Sequence, residues 1–192
     1  VGTAADDLEV QGRVGLVLHL DARGIEQAGL ELSELVLADR RGRYSLGQTD
    51  GSVAWDRESA VPVSRLTVQD ASVYQIPTGS FLIEARFSGD GVRLEQPVVV
   101  PVSGGEVRLD SFELSGALVA GEKPQWKADA SVRAVSLEQL TTALDWPLFG
   151  GKLEGRLRDM HYADQVFSVG GGLEVEAFDG SVMVRNLQIR EP

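Results

Sequence analysis

Apolar and polar residues alternate with a period of two through most of this chain, and glycine rather than helix breaks the alternation. Phe81, Ile83, Ala85 and Phe87 alternate with Leu82, Glu84, Arg86 and Ser88. Trp126, Ala128, Ala130 and Val132 do so against Lys127, Asp129, Ser131 and Arg133, and Leu173, Val175 and Ala177 against Glu174 and Glu176. Val14, Leu16 and Leu18, with Leu30 and Leu32, indicate two more strands near the start. Successive strand side chains point to opposite faces, so each segment has one apolar side and one polar side. The links are too short for crossovers, which makes neighbouring strands antiparallel. The pattern predicts an all-β chain, an antiparallel sheet with no sign of a second sheet long enough to cover its apolar face fully.

One helix interrupts the strands. Ser136-Leu137-Glu138-Gln139 has the capping-box form, Leu137, Leu140 and Leu144 then share a helical face, and Pro147 marks the end. A helix over 136–144 is too short to stand alone, so its leucine face should dock on the sheet or plug an end of it. Ile25 to Ala28, between Gly24 and Gly29, reads as another helical turn. Asp50-Gly51, Asp90-Gly91 and Asp179-Gly180 read as hairpin turns, because both residue types tolerate positive φ. Gly170-Gly171-Gly172 reads as a bulge or a close backbone approach. The segments Leu32–Leu37, Gly105–Leu114 and Gly180–Ile189 share a pattern of alternation, a phase slip and further alternation, as a bulged strand in a modular sheet would.

Composition removes several functions. With 18 basic and 29 acidic residues the net charge is −11, which repels phosphate backbones and argues against nucleic acid as a partner. There is no cysteine, hence no disulfide, thiolate nucleophile or thiolate metal site. His19 and His161 are too few for a histidine metal centre, and no Gly-x-Ser-x-Gly elbow supports serine hydrolase chemistry. No catalytic residue, metal or cofactor is expected. Trp55, Trp126 and Trp146 are so widely scattered that they read as core anchors. No apolar run approaches the roughly 20 residues needed to span a bilayer, and the start at Val1 and the stop on an unfinished strand pattern read as a fragment of a longer protein.

The segments Gly91-Val92-Arg93-Leu94, Pro97-Val98-Val99-Val100-Pro101 and Gly104-Gly105-Glu106-Val107 come in that order, followed by the Ser136 helix and Trp146-Pro147. Gly151-Lys152-Leu153-Glu154-Gly155-Arg156-Leu157 and Phe178-Asp179-Gly180 through Arg185-Asn186-Leu187 complete the set. In these motifs, over residues 64–192, the chain resembles the AsmA-like proteins of Gram-negative envelopes, in particular the YdbH branch, which some catalogues label as dicarboxylate transport. Residues 1–63 carry little of the likeness beyond β patterning. The resemblance implies a β-rich fragment of a periplasmic protein anchored in the inner membrane. It also implies a curved, open antiparallel sheet, a β-groove or taco-like fold, that lets phospholipid move between inner and outer membranes, without catalytic residues. The dicarboxylate label calls for clustered arginines around a dianion, which this anionic chain is not expected to supply.

The candidate lipid-groove residues are Phe81, Ile83, Phe87, Leu109, Phe112, Leu114, Leu153, Leu157, Leu173, Val175, Val182 and Val184. Their partners would be phospholipid acyl chains, neighbouring repeats of the full-length protein, and a second copy joined through open sheet edges. The competing expectation is that these residues form the closed core of a β-sandwich acting as a spacer or protein-interaction module.

Overall fold

A computed structural model describes residues 7–57, 62–89, 91–117, 121–164, 166–177 and 180–190, with side chains throughout except at 171, 173–177 and 184–190. Strand accounts for 72% of the chain. The elements in order are β1 (Leu8–Asp21), β2 (Gly24–Asp39), β3 (Tyr44–Asp56), β4 (Ser64–Val68), β5 (Ala71–Val73), β6 (Ile76–Thr78) and β7 (Phe81–Ser88). They continue with β8 (Gly91–Leu94), β9 (Val98–Val102), β10 (Gly105–Ser115), β11 (Gln125–Ser136), the helix α1 (Leu137–Ala143), β12 (Lys152–Ala163), β13 (Val166–Ala177) and β14 (Gly180–Arg190).

All 14 strands belong to one antiparallel sheet, apart from a short parallel contact of Trp55 and Asp56 in β3 with Phe87 and Ser88 in β7. Between β3 and β10 the ladder divides into one branch through β4, β7 and β8 and another through β5, β6 and β9, both of which end on β10. The outer strands are β1 and β14, so the sheet is open. Buried residues gather in small groups rather than in one core. Ser64, Val68, Ala71, Ala85 and Val98 fill the divided region, and Ala128, Ala130, Met160 and Val169 form a cluster on β11 to β13.

Bulges bend the long strands. Glu34 in β2 and Asp159 in β12 adopt φ of 54° and 51°. Each offers its amide to an aspartate on the adjacent strand: Glu34 N–H to Asp50 Oδ1 at 2.8 Å, and Asp159 N–H to Asp129 Oδ1 at 3.0 Å. Asp50-Gly51 is therefore not a hairpin turn but the middle of β3, where Asp50 satisfies the bulge in β2. Gly51, at φ +141°, faces Arg65 so closely that a Cβ would lie 2.0 Å from its carbonyl oxygen. Nor does Ile25 to Ala28 form a helical turn; it lies in β2, paired with Leu20 through Leu18. The cross-strand ladder there outweighs a local pattern only four residues long. Asp90 and Asp179 lie outside the described residues, although Ser88 pairs with Gly91 and Ala177 with Gly180 on either side of them. The Gly170–Gly172 run carries a register shift between β13 and β14, as a bulge requires.

The helix begins as its sequence specifies, with the Ser136 hydroxyl accepting the Gln139 N–H at 3.3 Å. It follows directly on β11 and contacts β6 and β11. Its one buried residue, Thr141, donates to the Leu137 carbonyl at 2.9 Å.

The β2–β3 turn is held by Asp39, whose carboxylate accepts from Arg43 at Nη2 (2.7 Å), Nε (2.9 Å) and the backbone N–H (3.0 Å). These bonds hold the Asp39 carboxyl well below its ordinary range, against the opposing effect of desolvation. A depressed folded-state value contributes stability above the unfolded pKa of about 3.9, and that contribution is lost as pH falls through the folded value. Acid unfolding of the wild type should therefore steepen below about pH 4. Asp39→Asn should be less stable at neutral pH and flatter in that window, as denaturant melts at a series of pH values would show.

Candidate functional site: the apolar face

Strand register aligns the apolar alternations of separate strands into rows. The longest runs Leu18, Ala28, Trp55, Phe87, Val92, Leu114, Trp126, Tyr162, Phe167 and Ile189, with no polar residue in it. At about 4.8 Å between neighbouring strands it extends for about 43 Å. Beside it lie Val98, Leu109, Ala130 and Leu157, and then Val100, Val107, Val132, Gly155, Leu173 and Val184. A fourth row joins Val135, Leu153, Val175 and Val182, and on the other half Val14, Leu32, Gly51, Leu66 and Ile83 stand in register.

Register thus brings the groove candidates of the sequence to one face. Phe87 and Leu114 lie in the long row. Leu109 and Leu157 share the next, and with Phe112 they pack on the Ala128, Ala130, Met160 and Val169 cluster. Phe81 pairs with Val68. Phe81, Ile83, Phe87, Leu109, Phe112, Leu114, Leu153 and Leu157 are half-buried, whereas Val182, on the outer strand β14, is 64% exposed. The side chains of Leu173, Val175 and Val184 fall outside those described, and only their register positions are known.

Sequence patterning missed how central Trp126 is to this face. Its ring lies 5.5 Å from Phe167 and 6.2 Å from both Phe112 and Tyr162, the last of these stacked at 15°. Phe167 and Tyr162 carried no mark of their own, because their role depends on cross-strand neighbours. Of the other tryptophans, Trp55 is half-buried and donates Nε1–H to the Gly89 carbonyl at 3.0 Å. Trp146 is not a core anchor: with Leu148 it stands exposed in the loop after α1.

The face remains open. Leu16 and Leu20 on β1 are 59% and 70% exposed. The chain exposes 12300 Å². A compact monomer of 20.6 kDa would expose about 8,900 Å². In a closed sandwich Leu109, Phe112 and Leu157 would be fully buried, and here they are not. An open sheet of this kind can hold an extended apolar chain across its rows.

The opposite face is polar. His161 and Ser168, paired across β12 and β13, share a hydrogen bond of 2.7 Å between Ser168 Oγ and His161 Nδ1. Among the described residues no carboxylate orients that imidazole, so the pair lacks the third member that serine catalysis uses. His19 is an exposed residue of β1. No group of three or more His, Asp or Glu among the described residues could hold a metal ion, and no helix among them is long and apolar enough to cross a membrane. No family model, no curated protein and no solved structure matches this chain.

Proposed function

We propose that the chain is a non-enzymatic segment that binds lipid acyl chains along its apolar face and lets them pass. The observation that carries this reading is the apolar row that runs unbroken across ten strands while its face stays open to solvent. An acyl chain laid on such a surface gains about 0.8 kcal/mol for each methylene removed from water, which makes hydrocarbon a suitable second layer. The resemblance to AsmA-like envelope proteins agrees with this reading. It adds the setting: a periplasmic part of a protein anchored in the inner membrane, carrying phospholipid between inner and outer membranes. The outer strands β1 and β14 would then pair with neighbouring repeats of the parent protein or with a second copy of this chain.

Native mass spectrometry of the purified protein, followed by lipid extraction, tests the reading. Adducts with the masses of phospholipids are the expected result. A spectrum of bare protein after exposure to phospholipid vesicles would overturn it.

A further inference from the structure

A depression of about 860 Å³ lies on the polar face over β10 to β14. An anionic chain is not expected to supply clustered arginines at a site, yet register gathers Arg108, Arg133, Arg156 and Arg158 around this one hollow. Two of the four are neutralised, Arg108 by Asp110 at 2.7 Å and Arg133 by Glu106 at 3.2 Å. Asp129 is occupied as well, accepting from the Ser111 hydroxyl and from the Asp159 amide. Arg156 and Arg158 differ: among the described residues neither makes an ion pair or a hydrogen bond through its side chain. They stand two apart on β12, hence about 7 Å from each other on the same face. Across the strands Arg156 meets Ser131 on one side and Gly172 on the other, so no carboxylate faces it in register and its β13 partner carries no side chain.

We propose that Arg156 and Arg158 form a binding site for a phosphate group, with Gly172 leaving the space. Guanidinium forks match phosphate oxygens, and two of them at this separation flank one tetrahedral anion. Glu154, on the same strand and lining the same hollow, disfavours a second negative charge at that end. The ligand is therefore a single phosphate, free or carried on a neutral or ammonium-bearing headgroup, and not a polyanion. This site lies on the face opposite the apolar rows and stands independently of what those rows bind.

Titration of isotope-labelled protein with inorganic phosphate and, separately, with phosphoethanolamine tests the proposal by backbone amide shifts. Saturable shifts at 156, 158 and 172 are expected. A response to both ligands marks the free anion as sufficient, and a response to phosphoethanolamine alone marks a headgroup. Arg156→Gln with Arg158→Gln should weaken binding by at least about tenfold. The paired lysine variant, which keeps the charge and loses the fork, should weaken it less. Both side chains are exposed, so the variants should retain the wild-type circular dichroism. Absence of shifts with both ligands, or equal binding by the glutamine variant, would overturn the proposal.

Discussion

A photoreactive residue placed at Leu157 or Leu114 is expected to crosslink to lipid, whereas one at Glu113 is expected to capture none. Leu157 and Leu114 lie in the apolar rows, and Glu113, the chain neighbour of Leu114, lies on the other side of its strand. Leu157→Asp should then abolish lipid capture, because a carboxylate in the path of hydrocarbon costs on the order of several kcal/mol. Leu157 is only half-buried, so part of the charge can reach water and the domain should remain folded, with a lowered melting temperature. Leu16→Asp, on the exposed outer strand, offers the same test with almost no cost to folding. Equal crosslinking from both faces, or none from the apolar one in a folded protein, would remove the support for acyl-chain binding.

Gly51→Ala is expected to be severely destabilising. The added Cβ would meet the Arg65 carbonyl oxygen at 2.0 Å, and φ at +141° is itself strained for any residue with a side chain. Backbone cannot swing aside as a flexible side chain can, so β3 and β4 must separate where Gly51 pairs with Leu66. A loss of about 4 kcal/mol or more follows, in the range reserved for the severest single changes. Gly29→Ala is the control. Nothing lies within 4 Å of its Cβ position and its φ is ordinary, so it should be neutral or stabilising by up to about 1 kcal/mol. Equilibrium denaturation of the two variants side by side decides the matter. Similar stabilities would mean that β3 and β4 do not approach each other as closely as described.

Much of the architecture was legible in the chain because period-two alternation is a local property. β1, β2, β7, β11 and β13 are found where the apolar residues alternate, and the helix begins at the Ser136 cap. The two outer strands are the first and the last strands of the described chain. Short patterns misled where a long-range contact overrode them. Ile25 to Ala28 resembles a helical turn until β1 pairs with it, and Asp50-Gly51 resembles a hairpin until the bulge at Glu34 takes the Asp50 carboxylate. Trp146 has the same composition signal as Trp126, yet one stands in solvent and the other amid Phe112, Tyr162 and Phe167.

The sequence by itself determined that each strand has an apolar side, that one capped helix interrupts the sheet, and that the chain carries more acid than base. Only the tertiary structure decided which residue stands beside which. Register between strands depends on bulges and turns spread along the whole chain, and a shift of one residue would exchange the faces of a strand. That register assembles the row from Leu18 to Ile189, divides the sheet between β3 and β10, and brings Arg108, Arg133, Arg156 and Arg158 around one hollow in a protein of net charge −11.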